Sequence, residues 1–301
     1  MEKFDSRYLE SESEGQGRSV EVARAVAPGA NIIQAGEDYA AGDDVLPAGR
    51  RLRPQDVAAL ATFGLAEVTV FRRPRVAVLS TGNELCEPTA APRPGQVRDA
   101  NQYVLGAQVR AAGCLAVLGG IVRDDVGALR EAVARALAEN DAVVLSGGSS
   151  IGTKDVAAEA MLGLPAPGVL FHGIDIRPGK PTLFARAGAR PVVGMPGFPT
   201  SSLVVFDAFI RPMLWRLGGE SGRETWGTRR PARLAKAQPS VVGREDYLRV
   251  RLVERDGRVW AEPLVGGSAA ISNVVRADGL GRVDAARAAL DAGEDVDVLL
   301  Y

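Results

Sequence analysis

Three acidic residues follow apolar, strand-like runs at separate points in the chain. Glu84 comes shortly after "RVAVLS", Asp124 after "CLAVLGGIV", and Asp155 after "DAVVLS" and a glycine-rich turn. Carboxylates can bind a hard divalent cation such as Mg²⁺, which commonly bridges them to phosphate oxygens. Each acid taken singly is better explained as a helix cap than as a ligand, because acids are favoured at helix N-termini. Three acids close to one turn with anion-binding features, residues 146–155, favour a role in cation binding.

The glycine-rich turn is the stretch "SGGSSIGTKD", residues 146–155. Its small residues that could contact a ligand are Gly147, Gly148, Ser149, Ser150 and Gly152. Glycines let backbone N–H groups approach a ligand closely, and a helix beginning near Thr153 would point its positive end at the same place. The pattern indicates an oxyanion site. The alternative is a tight turn in which Ser150 or Thr153 only caps the helix, and this stretch alone does not separate the two. It matches neither the P-loop nor the G-x-G-x-x-G nucleotide pattern.

Further polar residues follow other predicted strands. The stretch "STGN" supplies Ser80, Thr81 and Gly82. The bend "IRPGKP" supplies the cations Arg177 and Lys180, whose side chains suit phosphate binding. The alternative is that this bend is only a surface turn. His172 is the only histidine, which excludes a histidine-based metal site and favours a packed side chain.

These residues need a scaffold, and residues 74–218 alternate strand and helix patterns. Strand runs that are apolar throughout predict βαβ units on a parallel sheet covered on both faces. The ligand-facing turns of such a sheet lie at the carboxyl ends of the strands, so they should share one crevice. The predicted fold class is therefore α/β, with a small mixed segment before this domain and a β domain after it.

The parts that flank the α/β domain differ from it in composition and in the pattern of polar and apolar residues. Residues 1–18 are polar and predict a mobile tail, and 19–73 predict short strands and one helix that begins near Pro54 and is closed by Gly64. Residues 228–301 alternate polar and apolar side chains, with an Asp256-Gly257 turn, which predicts a C-terminal β domain.

Composition limits the function classes. The chain has 301 residues with 46% hydrophobic content, no membrane-length apolar run and a polar N-terminus without a signal-peptide core, so we expect a cytoplasmic protein that is not in a membrane. A net charge of −1 removes the main argument for nucleic acid. The two cysteines, Cys86 and Cys114, have no metal or disulfide spacing and are interpreted as packing residues.

Six motifs in order resemble those of a known family. They are "STGNEL", "GQVRDANQYVL", "GGIVRDD", "SGGSSIGTKD", "HGIDIRPGKP" and "GMPGFPTSSLVVF". They are similar to the successive signatures of the MoeA family, the molybdopterin molybdenumtransferases of molybdenum-cofactor biosynthesis, a fold shared with the E domain of gephyrin. Similar stretches upstream and downstream, including "GREDYLRVRL", extend the resemblance over about residues 20–301.

The resemblance implies insertion of molybdate into adenylylated molybdopterin with release of AMP, assisted by Mg²⁺. It implies catalytic roles for Glu84, Asp124 and Asp155, with Glu84 and Asp155 as metal ligands, and it makes residues 74–218 the molybdopterin-binding domain. The substrate-binding residues that it implies are Ser80, Thr81, Gly82, Gly147, Gly148, Ser149, Ser150, Gly152, Arg177, Lys180, Pro196, Gly197 and Pro199. The 146–155 turn would then hold the phosphate of the pterin or the adenylate.

Two departures from the family pattern matter. Phe198 replaces the asparagine of the usual Pro-Gly-Asn-Pro turn, which removes an amide from the pocket rim. The family also carries a further N-terminal domain, so we expect this chain to start near its end, with 19–73 as the remnant. The alternative function is a non-catalytic pterin-binding or scaffolding module.

The segment 19–73 also bears on partners, because it is too thin to form its own core. We expect it to pair in a homodimer, and we expect other molybdenum-cofactor biosynthesis proteins as further partners.

Overall fold

The computed structural model of the chain describes residues 25, 27–148, 155–221 and 228–301, so the predicted tail, 1–18, lies outside the described part. The chain divides into two compact units, residues 1–47 and 48–301. In the smaller unit the described residues form turns closed by local bonds, such as that from the N–H of Gln34 to the Glu37 carboxylate at 2.7 Å. These residues contain neither helix nor strand.

The elements of the larger unit are numbered along the chain. The strands are β1 (Arg75–Thr81), β2 (Leu85–Cys86), β3 (Val97–Arg98), β4 (Leu115–Val122), β5 (Ala142–Ser146), β6 (Pro167–His172), β7 (Ile176–Arg177), β8 (Leu183–Ala187), β9 (Arg190–Met195), β10 (Arg229–Leu234), β11 (Gln238–Pro239), β12 (Glu245–Arg255), β13 (Arg258–Pro263), β14 (Gly279–Val283), β15 (Ala289–Leu290) and β16 (Asp295–Leu300). The α-helices are α1 (Pro54–Thr62), α2 (Asn101–Ala111), α3 (Val126–Glu139), α4 (Val156–Met161), α5 (Pro199–Val205), α6 (Arg211–Leu217) and α7 (Ser272–Val275).

A six-stranded sheet with the order β4-β1-β5-β9-β8-β6 forms the centre of the α/β region. Neighbours among β4, β1, β5 and β9 are parallel, whereas β8 is antiparallel to both β9 and β6. Two successive reversals make β6 run in the same direction as β9. The predicted α/β class with a parallel central sheet is confirmed, and the antiparallel pair at one edge is an addition that the apolar pattern did not predict.

Both faces of this sheet are buried under helices. Val76 and Val78 of β1 belong to a core cluster with residues of α2, α5 and α6, while the alternate residues Ala77 and Leu79 belong to a cluster with residues of α3 and α4. This explains why the central strands read as continuous apolar runs, since neither face meets water. Cys114 is buried in the first cluster, and burial raises the pKa of its thiol to about 11.

The spacing of apolar residues over 200–218 predicts a single helix, but this helix is interrupted. α5 and α6 are joined by a π-helical turn, Phe206–Ile210. Within that turn the carboxylate of Asp207 pairs with Arg211 and accepts a bond of 3.0 Å from Nε2 of Gln108 on α2. Burial is the largest influence on this carboxyl and raises its pKa.

A second six-stranded sheet, in the order β13-β10-β16-β14-β12-β7, forms the C-terminal β region. The hairpin between β12 and β13 turns at Asp256 and Gly257, both with positive φ, as the Asp-Gly signal predicts. One strand of this sheet, β7, comes from the α/β region and pairs with β12. Tyr247 and Leu299 belong to the same core cluster as α2 and α5, so this sheet packs on the α/β layer.

The segment before the first sheet differs from its prediction. Helix α1 begins at Pro54, as expected, and ends at Thr62, before Gly64. The expected short strands are absent from the described residues 27–74. A strand needs a hydrogen-bonded neighbour, and this segment joins neither sheet. Within the described residues, no helix is long and apolar enough to cross a membrane.

Candidate functional site

Four predicted site regions meet at one edge of the α/β sheet. Because β4, β1, β5 and β9 are parallel, the loops that follow them all leave from the same edge. β6 runs in the same direction, so its last residue, His172, also lies there. We call this group the strand-end crevice; it comprises residues 80–84, 122–125, 146–148, 155 and 195–199, with His172.

Asp124 ties two neighbouring strand ends together. Its Oδ1 accepts a bond of 2.7 Å from Oγ1 of the buried Thr81, and its Oδ2 accepts one of 3.2 Å from the N–H of Asn83. Oδ1 of Asn83 accepts a bond of 3.3 Å from the N–H of Asp124. The neighbouring Asp125, not Asp124, caps α3, with its Oδ1 2.8 Å from the N–H of Ala128. The hydrogen bonds that Asp124 accepts from described residues therefore come from uncharged donors, which do not offset the negative charge of the carboxylate.

The glycines of the 146–155 turn are required where the structure describes them. Gly147 has φ +91° and Gly148 has φ +67°, in the left-handed region. A Cβ on Gly147 would lie 2.2 Å from the carbonyl oxygen of Thr81, and a Cβ on Gly148 would lie 2.8 Å from Cγ2 of the same residue. The turn is thus packed directly against the end of β1. Ser149, Ser150, Gly152 and Thr153 lie outside the described residues.

Asp155 caps α4, which begins at Val156 rather than near Thr153. Its Oδ1 accepts a bond of 2.8 Å from the N–H of Ala158. Its buried Oδ2 lies 3.1 Å from Nε2 of His172, whose side chain is 35% exposed. The predicted cap and the predicted site are therefore compatible in position, because one oxygen caps the helix and the other lies buried beside His172. The sequence signal that could have found His172 is its place at the end of β6.

Glu84 is exposed, and its carboxylate folds back over Gly82, where a Cβ would lie 2.8 Å from both carboxylate oxygens. In the part of the chain that the structure describes, no group of three or more His, Cys, Asp or Glu side chains is arranged to hold a metal. The assignment of Glu84 and Asp155 as metal ligands remains a prediction.

The Pro-Gly turn after β9 lies beside the glycine turn. The N–H of Gly147 donates 3.2 Å to the carbonyl of Met195, and a Cβ on Gly197 would lie 3.7 Å from Cα of Gly147. The carbonyl of Pro196 accepts a bond of 2.5 Å from Oγ of Ser202. Pro199 is the first residue of α5, and the preceding Phe198 is exposed and makes no side-chain cap.

Below these turns the side chains are polar and buried. Ser80 on β1 is paired in register with Ser146 on β5, and both are buried. Nδ2 of Asn101, the first residue of α2, donates 2.6 Å to Oγ of Ser146 and 2.7 Å to the carbonyl of Gly197. Asn101 belongs to the motif "GQVRDANQYVL", whose local pattern assigns this residue no role. Only the packing of α2 against the sheet brings it here.

Arg177 and Lys180 belong to the loop that follows β6. Gly179 fixes this loop, because a Cβ there would lie 2.5 Å from Cγ2 of Val205. Lys180 is exposed, and its ammonium makes no hydrogen bond or ion pair with the described residues. Arg177 lies on β7, so it faces the second sheet, where Nη1 is 3.9 Å from the buried carboxylate of Asp246.

A cavity of about 660 Å³ adjoins Arg177 and contains a second arginine, Arg249. We call it the cationic cavity; its lining includes Arg177, Asp246, Arg249, Gly266, Gly267 and Ser268. Arg249 Nη2 donates 3.0 Å to the carbonyl of Gly266, while its buried Nε has no partner among the described atoms. Burial lowers the pKa of this guanidinium, and Arg177 lowers it further against an opposing effect of Tyr301.

The acid in this cavity is already neutralised. Asp246 accepts bonds of 2.7 and 3.0 Å from Arg244, so Arg177 and Arg249 leave a surplus of positive charge. Arg177 shares the Asp246 carboxylate with Arg244, and Arg249 makes no ion pair with the described residues, so the two guanidiniums form a site for an oxyanion. Sequence reasoning found Arg177 but not Arg249, since an arginine on a β-strand usually faces solvent.

Comparison with protein families gives three matches along the chain. Residues 77–216 match the model of a probable molybdopterin binding domain, 231–301 the MoeA C-terminal region (domain IV), and 3–64 the MoeA N-terminal region (domains I and II).

Curated relatives agree with these matches. A molybdopterin molybdenumtransferase of Nostoc is 35% identical over 218 residues, 71% of this chain and 50% of the relative. A putative molybdopterin biosynthesis protein of Methanocaldococcus jannaschii is 32% identical over 290 residues, 93% of this chain and 68% of the relative. The chain thus spans about half to two thirds of the length of these relatives.

A solved structure is similar as well. The molybdopterin biosynthesis MoeA protein of Pyrococcus horikoshii superposes with a TM-score of 0.74 at 36% identity, covering 88% of this chain and 64% of that one.

Proposed function

The chain belongs to the MoeA family, and we propose that it acts in molybdenum-cofactor biosynthesis by inserting molybdate into adenylylated molybdopterin with release of AMP. The cationic cavity is the observation that carries this proposal. Molybdate is a compact oxyanion, and Arg249 offers it a buried Nε–H that makes no bond within the described chain. A partly desolvated guanidinium binds an anion more strongly than one in water.

The strand-end crevice would hold the phosphate of the pterin or adenylate. Gly147 and Gly148 let the ligand approach the backbone without a Cβ in the way. Asp124 and Asp155 follow strands at the same edge of the sheet, and their bonds to Thr81 and Ala158 fix the orientation of both carboxylates. The chain's own residues thus position two anions, one in each site, with oriented carboxylates beside the crevice.

The family resemblance also implies Mg²⁺. The carboxylates of the chain fit this ion only if substrate oxygens supply part of its ligands. Mg²⁺ usually binds through one or two carboxylates together with phosphate oxygens and water. The exposed carboxylate of Glu84 makes no hydrogen bond or ion pair with any described residue, and one oxygen of Asp155 lies beside His172 at the end of β6. These two residues would hold the ion once substrate oxygens complete the site. When bound, the cation would offset the repulsion between carboxylate and phosphate.

Calorimetric titration with molybdate tests the cationic cavity. Arg249→Met removes the charge but keeps most of the side-chain length, and we expect the molybdate Kd to rise at least about tenfold, the scale of a lost charged hydrogen bond. Arg251→Met is the matched control, because Arg251 lies two residues along the same strand and pairs with Glu262 at 2.8 Å. Equal molybdate affinity in both folded variants would contradict the assignment.

Turnover is tested separately. The chain is mixed with adenylylated molybdopterin and molybdate, and AMP release is followed as Mg²⁺ is varied. We expect molybdate-dependent AMP release that rises with Mg²⁺. Binding without AMP release would point instead to the non-catalytic module, which the names of the curated relatives do not favour.

A homodimer is part of the same proposal. α1 buries only Asp56, while Val57 is 55% exposed, and the apolar residues Phe63, Leu65 and Val70 that follow are exposed as well. Such a surface suits a second copy of the chain. Light scattering should report twice the 31.6 kDa chain mass, and Val57→Asp should shift it to the monomer mass. A wild-type monomer at micromolar concentration would contradict it.

A further inference from the structure

Asn101 lies where the two glycine-containing loops leave the sheet. Its side chain is nine-tenths buried, with 8% of the residue exposed. One amide nitrogen donates to two loops at once: 2.6 Å to Oγ of Ser146, which precedes the glycine turn, and 2.7 Å to the carbonyl of Gly197, in the Pro-Gly turn. The amide therefore fixes the separation of the two loops.

Backbone pairing between these loops ends at this level. The N–H of Gly147 still bonds the carbonyl of Met195 at 3.2 Å, one step beyond the register pair of Ser146 and Met195. Past that bond, the contact between the loops is the close approach of Gly197 to Gly147. The two bonds of Asn101 are thus the side-chain link at the base of the crevice.

The surroundings of Asn101 hold further unpaired polar atoms. Oδ1 of Asn101, Oγ of Ser80 and Oγ1 of Thr200 are buried without a hydrogen-bond partner in the described structure, and Ser80 and Thr200 are fully buried. Ser80 lies two and four residues after Val78 and Val76 on β1, so its side chain points to the same face of the sheet. That face packs against α2 and α5, where Asn101 and Thr200 lie. A buried polar group without a partner costs free energy. A layer that served packing alone would be more stable if it were apolar.

We propose that Asn101 is a positioning residue for the crevice: its amide sets the distance between the glycine turn and the Pro-Gly turn, and so the shape of the phosphate or adenylate site. This role rests on the proposed function of the crevice. Asn101 acts through Ser146 and Gly197 and does not itself touch the ligand.

Gln108 provides a matched control on the same helix. It is equally buried, at 8% exposure, and its Nε2 also bonds two groups, the carbonyl of Leu203 at 3.3 Å and Oδ1 of Asp207 at 3.0 Å. It therefore links α2 to α5 and the π-helical turn with the same chemistry, but two turns of helix away from the crevice. Loss of either amide should destabilise the fold to a similar extent.

Hydrogen exchange on the full chain tests the link without any ligand. In Asn101→Ala, peptides that cover residues 142–148 and 192–199 should exchange about tenfold faster than in the wild type, because the two loops separate locally at lower free energy. Gln108→Ala should leave those two peptides within about twofold of the wild type and affect α5 instead. Ser146→Ala removes one of the two bonds and should give an intermediate effect, which keeps the test valid if Asn101→Ala folds poorly.

Titration with AMP as the probe tests the consequence for binding. Asn101→Ala should raise the AMP Kd about tenfold, and Gln108→Ala should not change it. If the wild type does not bind AMP, the adenylate assignment of the crevice fails, while the exchange result still decides the link. Equal exchange of the two loop peptides in Asn101→Ala and Gln108→Ala, or unchanged AMP affinity in Asn101→Ala where the wild type binds, would overturn the proposal.

Discussion

The two ends of the α/β sheet treat partly buried acids differently. At the amino end, Asp141 receives two bonds from the Arg72 guanidinium, at 2.6 and 2.5 Å, and one from the N–H of Arg75 at 2.8 Å. The hydrogen bond from Arg72 is the largest influence and lowers the pKa of this carboxyl. At the carboxyl end, the donors to Asp124 among the described residues are neutral, and Asp155 receives a neutral donor and lies beside His172.

This difference separates structural acids from acids that remain available. A carboxylate in contact with a guanidinium has its charge satisfied within the protein. A carboxylate held by hydroxyl and amide donors is oriented, but its negative charge is not neutralised, so it still attracts a cation. Asp141 at the amino end thus has its charge balanced by an arginine, whereas Asp124 and Asp155 at the carboxyl end have no arginine or lysine partner among the described residues.

Glycines at the two ends differ in the same way. Gly113, which follows α2 at the amino end, has φ +88° and nothing within 4 Å of a Cβ. Gly147, at the carboxyl end, has φ +91°, but a Cβ there would overlap the carbonyl oxygen of Thr81. At Gly113 only the backbone angle requires a glycine. At Gly147 the close packing of two loops adds a second requirement.

The largest expected effect comes from adding one methyl group at each of these glycines. Gly147→Ala should lower the free energy of unfolding by ~3 kcal/mol, because left-handed strain adds to a backbone overlap. Gly113→Ala should cost only about 1 kcal/mol, since only the strain applies. Urea unfolding of both variants measures the difference. Equal losses would show that the two loops at the carboxyl end relax freely, and the comparison of the two ends would fail.

A smaller effect separates the two roles of Asp155. Asp155→Ala removes the cap on Ala158 and should cost ~1 kcal/mol of stability, while Asp155→Asn keeps a good cap and should stay within about 0.5 kcal/mol of wild type. If the charge matters as proposed, Asp155→Asn should nevertheless weaken Mg²⁺-dependent AMP release. Normal turnover with normal Mg²⁺ dependence in Asp155→Asn would leave helix capping as the whole role of the residue.

The smallest effect concerns Asp141, because its partner Arg72 is 72% exposed and solvent screens the pair. The folded-state pKa of Asp141 is lowered, so its contribution is present above the ordinary carboxyl pKa of about 4 and is lost as the pH falls through the folded value. Asp141→Asn should therefore be less stable than wild type at pH 7 and equally stable at about pH 2. Urea midpoints at the two pH values provide the measurement, and an equal deficit at both would rule out the ion pair as its cause.

Much of the scaffold follows from local pattern. The apolar runs of β1, β4 and β5 predict buried parallel strands, and α3 and the β12–β13 hairpin appear where periodicity and Asp256-Gly257 place them. The reversal of β8 and β6 could not be read from such runs, because strand direction depends on connections and not on composition. The π-helical turn at Phe206–Ile210 was also unpredictable, since its apolar spacing continues that of the helices on either side.

The candidate site shows the same division. The motifs predicted Asp124, Asp155 and the glycines at strand ends, since parallel strands bring their carboxyl ends together whatever the details of packing. They did not predict the contact of His172 with Asp155, which requires β6 to run parallel to β9 at the far edge of the sheet. They also placed Arg177 and Lys180 together, whereas β7 carries Arg177 into the second sheet.

The sequence by itself determined which residue types stand at the strand ends and which backbone positions must be glycine, because both depend on short-range sterics and on the two-residue period of a strand. Tertiary structure alone decided that Asn101 links two loops, that Arg249 has no carboxylate partner in its cavity, and that Asp141 is neutralised while Asp124 is not. Each of these depends on which distant segments meet. A side chain's charge balance and hydrogen bonds are set by neighbours that lie tens of residues away in the chain, and local spacing carries no information about them.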